Sequence, residues 1–262
     1  SNPANITYGT ALGGTQLNAT ADVPGSLVYS PPGGAILTAG DGQILSVTFT
    51  PTDSVNYNSA NASVTINVLK AGLTVTASSA SRVYGDANPA LNGSVSGLIS
   101  GDSIAATFTT TATVGSAVGG HPILPVLDDA GGRLGNYVVT TNAGTLTVTK
   151  AALVVTPNNA SRPYGQANPV LTGTITGLKN NDDITASYST TATSASAAGA
   201  TYPITAALVD PNGRLANYTV TLNAGTLTIT RDDPPVLTVA SGDASYVEKA
   251  PAVVLDPTAT VT

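Results

Sequence analysis

The chain contains no cysteine, methionine or tryptophan, and only two phenylalanines (Phe49 and Phe108), one histidine (His121) and one glutamate (Glu248) among 262 residues. Each absence removes a class of chemistry. Without cysteine there is no disulfide framework, no thiol nucleophile, no Cys-based zinc site and no Cys-ligated iron–sulfur cluster. One glutamate and four lysines leave almost none of the best polar helix formers, so no long helix is expected. Charged residues make up 9% of the chain, against about 25% in an ordinary globular domain. The net charge of −6 is carried mainly by aspartate, and no stretch clusters Lys or Arg. Counterion release therefore has nothing to work with, and nucleic-acid binding is not expected. An acidic surface also disfavours anionic lipid headgroups, and no apolar run approaches the ~20 residues of a membrane span. A cysteine-free, β-rich composition suits a bacterial surface protein that avoids stray thiols, although compositional drift gives the same result. The chain reads as an interior piece of something longer.

What the sequence has in abundance is repetition. Residues 71–150 and 151–231 align with more than half of their positions identical. Ala80-Ser81-Arg82-x-Tyr84-Gly85-x-Ala87-Asn88-Pro89 returns as Ala160-Ser161-Arg162-x-Tyr164-Gly165-x-Ala167-Asn168-Pro169. Gly132-Arg133-Leu134-x-Asn136-Tyr137 returns as Gly213-Arg214-Leu215-x-Asn217-Tyr218, and Asn142-Ala143-Gly144-Thr145-Leu146 as Asn223-Ala224-Gly225-Thr226-Leu227. Residues 1–70 differ but keep the Tyr8-Gly9 and Asn56-Tyr57 landmarks. Within each segment apolar residues alternate with threonine, as in Leu45, Val47 and Phe49 or Leu146 and Val148, which is the pattern of half-buried strands. Short strands with frequent Pro, Gly and Asn-Gly turns predict an all-β chain. The expected architecture is an elongated tandem array of three small antiparallel β-sandwich domains, Ig-like or β-grasp-like, with almost no helix. Residues 137–149, broken at Asn142-Ala143-Gly144, read as a hairpin in which glycine supplies a positive φ.

The junctions are short. Two residues separate Lys70 from Leu73 and Lys150 from Leu153, too few for a flexible coil, so a semi-rigid string of domains is expected. Counted back from Tyr8, the first segment lacks the strand that opens its neighbours. Leu237-Thr238-Val239 repeats that opening strand, so residues 232–262 read as the first strand or strands of a further, incomplete β-domain. An unpaired sheet edge invites a strand from another chain, which makes head-to-tail self-association by strand addition an expectation.

At Arg82-x-Tyr84-Gly85-x-x-Asn88-Pro89 and its twin, with Gly97-Leu98…Gly101-Asp102, Gly177-Leu178…Asp182 and the Asn-Tyr/Asn-Ala-Gly-Thr-Leu ending, residues 71–231 resemble the MBG repeat of the YGX type. Residues 1–70, through Tyr8-Gly9-Thr10, Phe49-Thr50-Pro51-Thr52-Asp53 and Asn56-Tyr57, resemble bacterial Ig-like repeats. The tail from Tyr246 to Asp256 resembles the opening of a cadherin-like bacterial repeat, a family in which later acidic residues supply calcium ligands. Together these resemblances imply a stalk segment of a large bacterial cell-surface or secreted adhesin-like protein, extracellular and without catalytic residues.

The candidate chemistry is sparse. His121 has no counterpart, because Tyr202 stands at its place in the twin. Asp128-Asp129 and Asp182-Asp183 suggest calcium only if further oxygens converge on them, and neither pair is kept whole in the other repeat; strand-end carboxylates are the plainer reading. Asp102 aligns with Asp182, Arg82 with Arg162 and Arg133 with Arg214, which points to a structural ion pair or to a carboxylate satisfying loop amides. Asn-Tyr before the last strand resembles a tyrosine corner. The lysines Lys70, Lys150, Lys179 and Lys249 sit at junctions, in a loop and in the tail, where isopeptide cross-links are not expected. No catalytic, cofactor or metal residue is assigned, and calcium is expected at most at the junctions or in the incomplete C-terminal domain. The leading expectation is a non-catalytic spacer whose partners are neighbouring repeats. The alternative is a module binding a glycan or a protein through loops or an exposed edge strand.

Overall fold

The computed structural model describes residues 1–231 and two short strands further on, Leu237–Thr238 and Thr260–Val261. The chain is all-β. Among the described residues the only helical turns are the 3-10 segments Leu134–Asn136 and Arg214–Asn217. The chain divides into two compact units, Ser1–Ala151 and Ala152–Thr262.

The first unit begins with β1 (Ile6–Thr7), β2 (Gly25–Ser30), β3 (Gly40–Pro51) and β4 (Ala60–Leu69), which form one sheet in the order β1-β4-β3-β2. It continues through β5 (Ala71–Ala77), β6 (Ala80–Val83), β7 (Gly93–Ser96), β8 (Ile104–Thr109), β9 (Gly119–Asp129), β10 (Tyr137–Asn142) and β11 (Gly144–Thr149). These make two sheets, a three-stranded β10-β5-β7 and a four-stranded β6-β11-β9-β8. The alternation read from the sequence is the burial pattern observed: Ala71, Leu73, Val75 and Ala77 are buried along β5, as are Leu146 and Val148 along β11. Each large aliphatic side chain so placed contributes about 1.5–3 kcal/mol of burial energy.

Two features depart from the sequence reading. The sheets are mixed and not purely antiparallel, since β1 runs parallel to β4, β5 to β10 and β6 to β11. Residues 137–149 are also no hairpin, because β10 and β11 belong to different sheets. The chain changes sheets at Asn142-Ala143-Gly144, alongside the change that β5 and β6 make at Ser78-Ser79, so two parallel segments cross together. Asn142 Nδ2 donates to Thr76 Oγ1 (3.1 Å) and Thr145 N to Ser79 Oγ (3.0 Å), fastening the crossing. Gly144 is not at positive φ. It is there because a Cβ would stand 2.6 Å from the Ser78 carbonyl oxygen. Close approach of backbone, not a left-handed torsion, demands the glycine.

The interior of the first unit crosses the Lys70 boundary. Ile6, Tyr8, Leu12, Leu45, Ile66 and Val68 form one buried cluster with Ala71, Leu73, Val75, Ile104 and Tyr137. A second cluster of Ala77, Ala112, Ile123 and Leu146 lies between the two sheets of the repeat.

The second unit contains β12 (Ala151–Pro157), β13 (Ala160–Pro163), β14 (Gly173–Thr176), β15 (Thr185–Thr190), β16 (Thr201–Val209), β17 (Tyr218–Leu222) and β18 (Gly225–Thr230). Its sheets, β14-β12-β17 and β13-β18-β16-β15, reproduce those of the first repeat, and Ile204, Leu227 and Ile229 are fully buried in its core. β19 (Leu237–Thr238) pairs antiparallel with β20 (Thr260–Val261). The expectation of a cadherin-like opening in the tail otherwise lies outside the described residues.

Candidate functional site

The repeated polar residues converge on two arrangements. The first begins with the Tyr-Gly motif. Thr10 N bonds Thr7 O (3.0 Å), and Gly9 at φ +92° completes a turn that a side chain at that position would oppose. A Cβ on Gly9 would also lie 2.7 Å from Ile99 Cδ1. The turn drives Tyr8 into the loop that precedes β8. Its hydroxyl donates to Asp102, 3.0 Å from Oδ1 and 2.9 Å from Oδ2, and its ring meets Tyr137 edge-on with centroids 5.4 Å apart. The Tyr137 hydroxyl donates to Asp102 Oδ2 and accepts from Ile99 N at 3.0 Å. Nearby, Ala39 N donates to Asn136 Oδ1 at 2.9 Å. Burial, reinforced by the Asp102 carboxylate, pushes the Tyr137 hydroxyl up to about 12. The same two causes raise Tyr8, against an opposing effect of Arg133. Both tyrosines therefore stay protonated at neutral pH and act as donors, not as bases or nucleophiles.

The second unit repeats the corner. Tyr218 donates to Asp182 Oδ2 (2.7 Å) and accepts from Lys179 N (2.9 Å). The expected tyrosine corner is thus present at Tyr137 and Tyr218, and the hydroxyl does tie back to upstream backbone. The Tyr57 landmark behaves differently: its ring is half exposed.

The second arrangement surrounds Arg82 and Arg162, both buried. Arg82 Nε donates to Asn88 Oδ1 (2.8 Å), and its terminal nitrogens donate to the carbonyls of Val83 (3.2 Å) and Thr113. Asn88 Nδ2 in turn donates to Ala112 O at 2.6 Å. Arg162, Asn168, Pro163, Thr193 and Ala192 repeat these contacts. A guanidinium with its donors pointing in fixed directions suits a junction of several loop carbonyls.

The remaining candidates are scattered. Asp129 accepts from Arg133 N and Leu134 N, both at 2.8 Å, and Asp210 does the same for Arg214 N and Leu215 N. These carboxylates satisfy loop amides, whereas the repeated aspartate for which the sequence suggested that role, Asp102, accepts from the hydroxyls of Tyr8 and Tyr137. Asp128 and Asp183 are exposed, and His121 Nε2 lies 2.9 Å from Ala117 O. Asn56 holds the Asp53 carboxyl below its usual range through its side chain and backbone N–H. Among the described residues no three His, Cys, Asp or Glu side chains group as metal ligands, and no helix is long and apolar enough to cross a membrane.

Sequence reasoning missed two roles. Asn88 is legible only as part of a repeated motif, with nothing to show that it buttresses Arg82. The pairing of Tyr8 with Asp102 links positions 94 apart, and nothing local to either residue signals it.

The zebrafish RET cadherin-like domains 1 to 4 share 12% identity with the chain over 82% of this chain and 64% of that structure, at a TM-score of 0.19. Domains 4–9 of the surface layer protein SbsC share 12% identity over 85% of this chain and 42% of that one, at a TM-score of 0.21. The chain therefore spans less than two thirds of either structure, and scores this low bear on neither fold nor function. No curated protein matches the chain. The MBG domain (YGX type) matches over residues 73–147 and again over 153–228. With more than half of its length in these two tandem copies, each built around a buried arginine clamp and a tyrosine–aspartate corner, the chain belongs to the MBG domain (YGX type) family.

Proposed function

We propose that this chain is a non-catalytic spacer in a bacterial cell-surface or secreted adhesin-like protein, holding other parts of that protein at a distance. In this reading residues 1–70 act as an Ig-like repeat, and the tail begins a cadherin-like one. The observation that carries the proposal is where the repeated polar groups go. Arg82, Asn88, Asp102, Asp129 and Tyr137 each bond to loop backbone or to one another, which spends them on holding shape. Spacing by rigid repeats needs only this. Small-angle scattering tests it. Three β-domains of ~25–30 Å each, set end to end, give a radius of gyration of roughly 25 Å or more. A value near ~18–20 Å, expected of one globule of this length, would refute the spacer.

A second reading, strand addition, is favoured by one observation. Tyr29, Leu45, Val47 and Val64 line a cavity of about 280 Å³ over the β2–β3–β4 face. Register places Leu45 where Ile123 stands in the repeat, whose face is covered by a second sheet. An extended segment from another copy would fill the cavity. Light scattering of protein lacking residues 232–262 checks whether the tail supplies it; an unchanged oligomer size would eliminate that source.

A further inference from the structure

The tyrosine of the Tyr-Gly motif occurs three times, and its three copies have different surroundings. The backbone setting is the same in each: Tyr8 N bonds Leu69 O (2.8 Å), Tyr84 N bonds Thr149 O (2.8 Å) and Tyr164 N bonds Thr230 O (3.0 Å). The following glycines lie at φ +92°, +83° and +82°. The turn thus places each tyrosine at the end of its own four-stranded sheet, beside the last strand. Tyr8 and Tyr84 are buried, whereas Tyr164 is 46% exposed. Tyr8 is covered by the Asp102–Tyr137 corner of the segment that follows, with Ile99 packed against Gly9.

We propose that the Tyr-Gly tyrosine is a latch between successive repeats, and that Tyr164-Gly165 is the docking surface for the Asp–Tyr corner of a further repeat of this kind. The chemistry of the partner follows from the filled example. It must offer a carboxylate that accepts the phenol hydroxyl and a tyrosine edge for the ring; in the filled example Ile99 adds an aliphatic cover for the glycine, at the position where the second repeat has Lys179. Gly165 has open space where a Cβ would stand, so nothing in its own repeat obstructs that aliphatic group. The short connectors suit such a latch, because they bring the start of the next repeat to the turn without slack. A latched ring is held twice, by packing and by a charge-assisted hydrogen bond, as Tyr8 is. The inference rests on the spacer reading only in supposing that repeats follow one another.

Nitration of Tyr164 by tetranitromethane, followed peptide by peptide in the mass spectrometer, tests it. In the full chain Tyr164 should nitrate at least about tenfold faster than Tyr8, whose ring must first be exposed by local opening. A second full chain carries an extra copy of residues 71–150 inserted after Arg231. There Tyr164 should fall to the rate of Tyr8, and should recover its reactivity when the inserted copy carries the Asp102→Ala change. Should that variant fail to fold by circular dichroism, Tyr164→Phe in the extended chain replaces it, with a lowered melting temperature expected there and none in the unextended chain. Equal nitration with and without the insertion overturns the latch. So does protection in the unextended chain that grows with protein concentration, which would assign the surface to a second copy. Scattering reads the spacer and nitration reads the latch, so the two fail separately.

Discussion

The sheet β1-β4-β3-β2 of the first segment and the sheet β6-β11-β9-β8 of the first repeat are the same object with different covers. Strand order and direction agree, and register agrees apart from one bulge between Gly40 and Gln43 on β3: Ile6 faces Val68 as Arg82 faces Val148. In the repeat the chain crosses to a second sheet at Gly144, and that sheet closes the core. In the first segment β4 continues unbroken for 10 residues, and by the same register Val64 stands where the repeat has Gly144. No second sheet forms. The segment instead joins its apolar cluster to that of its neighbour across Lys70. One residue type at one position marks the difference between a domain that closes itself and one that leans on the next.

Exchanging that residue should have the largest effect. Gly144→Val places a side chain 2.6 Å from backbone that cannot retreat, and we expect it to destabilise the repeat by about 3 kcal/mol or more. Val64→Gly, the reverse exchange, removes a half-buried side chain from a continuous strand and should cost about 1–2 kcal/mol. Chemical denaturation of the two variants checks the asymmetry, and equal losses would contradict it.

Arg82→Ile gives the repeat the residue that the first segment carries at the matching position. Asn88 and the Thr113 carbonyl would lose their buried donor. The expected loss is about 2–4 kcal/mol by the same measurement. Arg82→Lys should recover little, since an ammonium cannot reach three acceptors in the directions a guanidinium does.

These two positions also show where the sequence is legible. Alternating threonine and aliphatic residues announce strands, and the Tyr-Gly turn and buried Tyr137 follow from their motifs. Strand direction does not follow, because a parallel pair such as Val139 with Leu73 joins positions far apart and leaves the same alternation as a hairpin. Gly144 deceived for a related reason. A glycine that admits a neighbouring carbonyl and a glycine that turns the chain look alike in sequence. Arg82 sits at an inward position of its strand, where a cation reads as surface until the loop carbonyls that surround it are known.

Tyr8→Phe is milder, since the ring keeps its edge-on contact with Tyr137 and only the hydroxyl is lost. Asp102 retains Tyr137 as a donor. The expected cost is about 1–2 kcal/mol, and it should fall on the joint between the first segment and the repeat, so that thermal unfolding becomes less cooperative. Tyr57→Phe is the comparison, because that ring is half exposed and its change should stay within about 0.5 kcal/mol.

The smallest effect at neutral pH, none at all, belongs to the titration of the same corner. Tyr137 is raised from its ordinary value of 10.0 to about 12, and Tyr8 is raised as well. The folded chain therefore holds protons that the unfolded chain releases. Stability from this source is fully present below pH 10 and is lost as pH climbs from 10 towards about 12. The first segment has no matching corner, since Tyr57 takes Tyr137's place in the landmark order and faces solvent. Alkaline unfolding should thus begin at the repeat's corner and release the first segment with it. Tyr137→Phe should flatten the decline between pH 10 and about 12. A decline as steep in the variant as in the parent chain would place the alkaline lability elsewhere than the corner.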